Sequence, residues 1–454
     1  MKPFHLLREC LFSVPVLLFG NVLLFWYLRT DGAIVLPICL TVFLSLWYLG
    51  TLCHIYRRQS GSRRLAVIAH GLRLLRCGMI CSFAEPLVYA AILLHSLPQN
   101  WTDAAWLAGN LLFFGVFMLL MILCGLLRLG IAARQVKWYW YLILYLVCWM
   151  PLINLIPLLH IYRTARREFL FEAARLELDA VRSESAVCQT RYPIFMVHGI
   201  FFRDWQFFNY WGRIPAALKK NGAQVYYGKQ QSARSIADSA QELAEQMRAV
   251  LAESGAEKLN IIAHSKGGLD VRYAMQELGM AKHVASLTTI NTPHQGCQWV
   301  ENLLMRIPVP LTEKIAGYYE RFFRGLGDKN PDFLGGVRDL TVSRCARFNA
   351  SHPVQPDIPH HCIMSEMRNV LSAPFPLWLG YLCSRSADRS CRCDGLVPVD
   401  AAKLDGVPFT LLPRTRFRGI SHGDMIDLNR ENIEDFDVRE FYVGIVKDLK
   451  EKGL

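Results

Sequence analysis

Leu259-Asn260-Ile261-Ile262-Ala263-His264-Ser265-Lys266-Gly267-Gly268 is the stretch that decides how the second half of this 454-residue chain folds. Its apolar start reads as a buried strand. A small-x-Ser-x-Gly turn follows, and Gly267–Leu278 has the pattern of a helix. That is a nucleophile elbow with Ala263 in place of its first glycine. The serine of such an elbow sits on a sharp turn, so its neighbours two positions away must be small. The helix that follows aims its N-terminus at developing negative charge. The bland alternative is a turn with an exposed serine. A strand before and a helix after favour the nucleophile.

Further strands flank this one. Ile194–Val197 is a short apolar run ended by His198-Gly199, and Val225–Tyr227 and Leu287–Ile290 are two more. Ala233–Glu253 has helical periodicity, with Ile236, Leu243, Met247 and Leu251 along one side. Strands alternating with helices predict a mostly parallel sheet with flanking helices. There are no repeats and no low-complexity tracts.

If Ser265 attacks an acyl carbonyl, backbone N–H groups must face the oxyanion that forms. The residue after the nucleophile, Lys266, supplies one; Ile200, in the turn after the first strand, supplies the other. His198 reads as a structural histidine of that turn. An elbow of this kind expects its acid and its base downstream, in that order. Asp394 in Cys393-Asp394-Gly395-Leu396-Val397 and His422 in Ser421-His422-Gly423-Asp424 lie in polar turns after the apolar segments Leu377–Leu382 and Val407–Leu412. His422 is then the base and Asp394 its orienting carboxylate. The competitors are His283, His294 and the pair His360-His361. His294 lies in the turn Thr292-Pro293-His294, too close to the nucleophile strand's neighbour. The pair reads as surface, with no third metal ligand at fitting spacing.

The first 162 residues are different. Hydrophobic residues make up 52% of the chain and are concentrated there. Five apolar stretches, Cys10–Leu28, Ala33–Tyr56, Cys77–Leu97, Ala105–Leu127 and Trp138–Tyr162, each approach the ~20 residues needed to cross a bilayer as a helix. A cleaved secretory signal is not indicated, because four more spans follow the first. Arg57 to Arg76 contains six arginines and Arg128–Lys137 three bases, whereas Pro98–Ala104 has none. Positive charge collects on the cytoplasmic side, so five crossings leave everything after Tyr162 on the extracytoplasmic side. Arg163, Arg166 and Arg167 disagree with that count, and Pro151 and Pro157 suit a re-entrant fifth segment. Glu85, inside the third span, has no visible partner and reads as a helix-end or bundle hydrogen-bonding group.

The expected organisation is a transmembrane helical region over 1–162, an amphipathic helical linker over 163–190 and a catalytic domain over 191–454. The net charge is +12, of which +8 falls within residues 1–162. The nearly balanced remainder argues against a nucleic-acid partner. Of the 14 cysteines, seven lie in the spans as small apolar fillers. The run Cys383–Cys393 is dense enough for bridging outside the cytoplasm, and its Cys-x-Cys is a weak metal signal.

From Tyr192 to about Val300 the chain resembles the secreted bacterial triacylglycerol lipases of the α/β-hydrolase superfamily. The matching segments are Tyr192–Gly199, Tyr210-Trp211, Gly222–Tyr226, Ala263–Gly268, Leu287–Gly296, Asp394–Val397 and His422–Asp424. The resemblance implies an α/β-hydrolase fold, a triad of Ser265, Asp394 and His422, and oxyanion donors at Ile200 and Lys266. The transmembrane region lies outside it. Many of those lipases hold a structural Ca²⁺ near the catalytic histidine. Asp424 fits one carboxylate ligand, but the other falls near Asn369–Ser372, where this chain has Ser372. One carboxylate is a poor calcium site, so neither a metal nor another cofactor is expected.

Seven of the eleven residues Phe201–Trp211 are aromatic. Phe201, Phe202 and Trp205 lie beside the oxyanion turn and are candidates for acyl contact; an aromatic core under a long loop is the equal alternative. Residues 297–351 form a lid-like insert. With the anchor, these features favour membrane lipids or other acyl esters as substrate, cleaved through an acyl-enzyme. A thioesterase or acyltransferase would use the same triad. A catalytically inactive membrane interaction protein is opposed by the intact triad set, and a transporter by the lack of ionisable groups in the spans beyond Glu85.

Overall fold

The computed structural model describes residues 3–27, 34–53, 62–95, 101–150, 152–182, 185–200, 210–231, 233–325, 330–375, 377–413, 415 and 418–454. The chain divides into two compact units, Met1–Val181 and Arg182–Leu454.

The first unit is all helical: α1 (Pro3–Gly20), α2 (Val22–Tyr27), α3 (Val35–Cys53), α4 (Arg63–His95), α5 (Trp101–Ala132), α6 (Trp138–Val147) and α7 (Leu155–Arg182). Among the described residues, three helices are long and apolar enough to cross a membrane: α3, α4 over Arg63–Leu94, and α5. The other two expected spans are interrupted. Cys10–Leu28 is divided at Asn21 between α1 and α2. Trp138–Tyr162 is divided between α6 and α7, with Leu152 at φ 70° in the break. Ten residues of α6 rise only ~15 Å, half of a ~30 Å hydrocarbon core.

Packing in this unit is close where glycines meet. A Cβ on Gly71 would lie 3.0 Å from the Gly125 carbonyl oxygen, and one on Gly125 3.1 Å from that of Gly71, so α4 and α5 approach nearly backbone to backbone. Glu85 does have a partner. Asn21 donates to its Oε2 at 2.8 Å; Asn110 donates to Asn21 Oδ1 at 2.9 Å and to the Tyr89 hydroxyl at 3.1 Å. This polar cluster ties α1, α4 and α5 together, and the break at Asn21 belongs to it.

The second unit is built on a six-stranded, wholly parallel sheet. Its elements are β1 (Ile194–Val197), α8 (Ile214–Lys220), β2 (Val225–Tyr227), α9 (Ile236–Ser254), β3 (Leu259–His264), α10 (Gly267–Glu277), β4 (Val284–Ile290), α11 (Gln298–Arg306), α12 (Val309–Gly325), α13 (Phe333–Arg338), α14 (Val342–Ser351), β5 (His360–Met364), α15 (Leu377–Ala387), β6 (Phe409–Leu411) and α16 (Val438–Glu451). The strand order is β2-β1-β3-β4-β5-β6. Side chains alternate between two cores. Met196 and Ile262 pack with Trp211, Leu218, Tyr442 and Val446 of the α8/α16 side. Phe195, Ile261 and Ala263 pack with Leu243, Met247, Val271 and Met275 of α9 and α10. Both faces are covered, so the central strands are continuous apolar runs rather than alternating ones.

One expected element differs. Leu377–Leu382, expected to lead into the Asp394 turn, begins helix α15. The strand of that region is β5, whose first residues are the histidine pair read as surface. β5 pairs with β4 and β6, matching Thr289 with Cys362 and Cys362 with Phe409. Neighbouring strands impose extended structure on a polar start that has no strand signal of its own. The described cysteines, Cys383, Cys391 and Cys393 included, are free thiols.

Candidate active site

Ser265 sits at the C-terminal end of β3, in the middle of the sheet, with φ 55°. A left-handed backbone at a residue with a Cβ is strained, and the surroundings are shaped to hold it. Its N–H donates to the Ile290 carbonyl at 2.9 Å. Gly267 and Gly268 have no room for side chains: a Cβ would lie 2.5 Å from the His198 carbonyl oxygen at the first and 2.5 Å from Thr292 Oγ1 at the second. Gly199 faces the serine, and a Cβ there would come within 2.7 Å of that of Ser265.

Asp394 is fully buried and accepts four hydrogen bonds. The N–H groups of Leu396 and Val397 donate to Oδ1 at 2.8 and 2.7 Å. His422 Nδ1 and Asn291 Nδ2 each donate to Oδ2 at 2.6 Å. The His422 N–H also donates to the Asp394 carbonyl at 2.8 Å. With Nδ1 donating, the neutral imidazole keeps its lone pair on Nε2, the tautomer a general base requires. The His422 ring lies 4.5 Å, centroid to centroid, from that of His264, the residue before Ser265. The elbow and the Asp394–His422 pair therefore meet at one end of the sheet, with Ser265 and His422 both largely shielded from solvent.

Asn291 had no role in the sequence reading beyond its place in the Leu287–Gly296 match. It follows β4 with φ 50°, and its amide also donates to Ser365 Oγ at 2.8 Å and accepts from the Ser365 N–H at 3.0 Å. Asparagine tolerates the left-handed region, and its short amide reaches the carboxylate from there. Tyr210 was likewise missed. Its hydroxyl accepts the Gly199 N–H at 2.9 Å and donates to His264 Nδ1 at 2.7 Å, coupling the turn after β1 to the elbow. Burial pushes the His264 imidazole far toward its neutral form, and the nearby His422 adds to this.

Ile200 is buried in the turn after β1, directly after Gly199. His198 supports that turn, its ring nitrogens lying 2.8 Å from the Gly199 carbonyl oxygen and 3.0 Å from that of Gln230. Lys266 occupies the first position after Ser265, and its side chain is buried. Its ammonium donates to Asp270 Oδ1 at 2.6 Å, Ser239 Oγ at 3.0 Å and the Ser235 carbonyl at 3.4 Å. Burial raises the Asp270 carboxyl to about 6, while Lys266 pulls in the opposite direction.

Phe201, Phe202 and Trp205 lie outside the described residues. Tyr210 and Trp211, the described members of that aromatic stretch, are core residues. His360 is not a free surface group: with His294 and Cys362 it forms a cluster whose ligand atoms lie within 4.8 Å of one another. The cluster is poorly set up for a metal. Arg272 Nη1 lies 3.4 Å from His294 Nδ1, and a guanidinium can only donate. With its proton on Nε2, directed at Thr289 Oγ1 at 3.0 Å, His294 has a single lone pair, on Nδ1, and that faces the Arg272 guanidinium instead of an ion.

A serine with strained backbone on a strand–turn–helix, at the centre of a parallel sheet, with a carboxylate–imidazole pair on later loops, defines the α/β-hydrolase arrangement. Comparison with known proteins agrees. Residues 193–325 match the family model described as palmitoyl protein thioesterase. The chain is 34% identical over 177 residues to a triacylglycerol lipase of Pseudarthrobacter phenanthrenivorans, covering 36% of this chain and 54% of that protein. It is 32% identical over 181 residues to one of Vibrio cholerae serotype O1, covering 38% and 57%. Among solved structures, the Staphylococcus hyicus lipase aligns with a TM-score of 0.46 at 17% identity, over 58% of this chain and 98% of that one. The chain thus spans about half the length of the curated relatives it matches.

Two predictions follow from this geometry. Asn291→Ala removes one of two donors to Asp394 Oδ2. A hydrogen bond to a charged group is worth ~1.5–3 kcal/mol, so fluorophosphonate labelling should slow roughly 10- to 100-fold. Asp270 carries the second. The folded carboxyl titrates near 6 against an ordinary 3.8, so between these values the folded state holds a proton that the unfolded chain has released. Stability against urea should therefore fall as pH rises across this interval, and Asp270→Asn should abolish that segment of the pH dependence.

Proposed function

We propose that this chain is a membrane-anchored serine hydrolase that cleaves carboxylic esters of lipids through an acyl-enzyme. The reading rests on one observation above all: the imidazole of His422, held by a fully buried Asp394, stands beside the elbow that carries Ser265. In the proposed reaction Ser265 Oγ attacks the ester carbonyl carbon while His422 Nε2 takes its proton. The N–H groups of Ile200 and Lys266 receive the oxyanion. Collapse of the tetrahedral intermediate breaks the C–O bond, and the alcohol leaves with the proton from His422. Water, deprotonated by the same imidazole, then releases the acid and restores Ser265.

The names of the curated relatives support a lipid ester. So does the insert after β4, where Leu311, Ile315, Tyr318 and Phe322 form an exposed apolar stripe at helical spacing on α12. The palmitoyl protein thioesterase match favours a second reading, in which the scissile bond is a thioester. Fluorophosphonate labelling tests the nucleophile, and labelling that survives Ser265→Ala would sink both readings. An ester and thioester series of increasing acyl length separates them. Hydrolysis is expected to rise with chain length; preference for acetyl groups refutes the lipid assignment, and faster thioester turnover selects the second reading.

The membrane side turns on Trp138–Tyr162. A full crossing there places the catalytic unit on the extracytoplasmic side. The ten-residue α6 favours the opposite: a segment that dips in and returns puts Arg163, Arg166 and Arg167 on the side of the other basic linkers. Protease digestion of sealed, right-side-out vesicles decides: cleavage of the second unit marks the outside, and protection until the vesicles are opened marks the inside.

A further inference from the structure

The family resembled here implies a calcium ion near the catalytic histidine, and the residues of this chain do not fit one. Both oxygens of Asp424 are engaged. Oδ1 accepts from Arg418 Nη2 at 2.5 Å, and Oδ2 accepts the Ser421 N–H at 2.8 Å and the Ser421 hydroxyl at 2.7 Å. Ser372, where a second carboxylate would fall, donates its hydroxyl to the Arg418 carbonyl. Calcium takes six to eight oxygen ligands, commonly with several carboxylates. Here a guanidinium already lies against Asp424.

We propose that Arg418 is the positioning residue of the His422 loop, a built-in cation that makes the site independent of calcium. The proposal rests on the reading of His422 as the catalytic base. Arg418 Nη2 pairs with Asp424 and Nη1 pairs with Glu431 Oε2, also at 2.5 Å, so one planar fork, four residues before His422, bridges carboxylates two and nine residues after it. The backbone of the same residue grips the 366–372 segment. Its carbonyl accepts the Arg368 N–H at 3.0 Å, and Ile420 N–H donates to the Glu366 carbonyl at 2.8 Å. Between them Gly419 pairs with Met367 at φ 78°, where a Cβ would lie 2.4 Å from the Arg368 nitrogen. The two segments that an ion would have to bridge are therefore joined by Arg418 itself. Downstream, Arg213 anchors the loop again with a two-pronged pair to Asp427, at 2.8 Å from both Nε and Nη2. A lysine can make only one of the two Arg418 contacts at its full geometry, because its charge is a point and not a fork.

The test uses the full chain in detergent micelles, with thermal unfolding, Ser265 labelling by a fluorophosphonate and hydrolysis of a p-nitrophenyl ester as readouts. Excess EDTA and added calcium chloride are expected to leave the unfolding temperature and labelling rate of the unaltered protein unchanged. Arg418→Met should lower kcat roughly 10- to 100-fold with KM nearly constant, and Arg418→Lys should recover part of the loss. Glu431→Gln removes half the clamp at a more exposed position and should give a smaller fall in kcat. Combining Arg418→Ala with Ser372→Asp should make the unfolding temperature rise with calcium. Destabilisation of the unaltered protein by EDTA would overturn the proposal, as would an undiminished kcat in Arg418→Met. If Ser265 proves unreactive, the hydrolase reading fails and the positioning role with it; the EDTA and calcium unfolding data then judge the metal-free clamp by themselves.

Discussion

Everything at this site depends on one residue being held in a backbone conformation it does not favour. Left-handed geometry at a non-glycine residue costs ~1–2 kcal/mol, and Ser265 is kept there by what surrounds it. β3 lies between β1 and β4, so the turn that follows it is bounded on both sides by strand ends. The His198 carbonyl presses on Gly267, Thr292 on Gly268, and Gly199 leaves space for the serine itself. Each neighbour is small because something large or polar already occupies the space a side chain would need.

The polar groups around the turn form connected paths rather than isolated pairs. Gly199 donates to Tyr210 and Tyr210 to His264, linking the turn after β1 to the end of β3. Asn291 joins the end of β4 to Ser365 after β5 and to Asp394 further on. In a buried site an unmet donor or acceptor is costly, so each member constrains the orientation of the next. The hydrogen on His264 is thereby directed away from Tyr210, and that on His422 toward Asp394.

How much of this was legible in the sequence follows from distance along the chain. The elbow is local: strand, serine, glycines and helix all lie within about twenty residues of one another, and its reading needed nothing else. Asp394 and His422 were recoverable from chain order and their polar turns, not from any local signal as strong. β5 was not, because His360, His361 and Cys362 become strand residues only through pairing with β4 and β6. Asn291 and Arg418 escaped for the same reason. Their side chains act on residues brought near by folding or by a turn, and asparagine or arginine at a given position carries no mark of its partner. The break at Asn21 was hidden by an uninterrupted apolar stretch; its contacts with Glu85 and Asn110, made only on folding, give the polar residue a purpose.

Charge pairs hold the loops around Ser265 and His422, and their energetics say what they are for. Lys266–Asp270, Arg418–Asp424 and Arg213–Asp427 each bury a carboxylate almost completely. Desolvating such groups offsets much of the Coulomb attraction, so these pairs are weak sources of net stability. Breaking one is expensive because the partner is left buried and alone. What such a pair supplies is a single allowed geometry. The three are distributed accordingly: one beside Ser265 at the start of the elbow helix, one spanning the residues that carry His422, and one just after them. Apolar packing of equal stability would tolerate small sliding of these loops. A fixed set of charged hydrogen bonds does not, and the placement of His422 against the Ser265 elbow leaves little room for sliding.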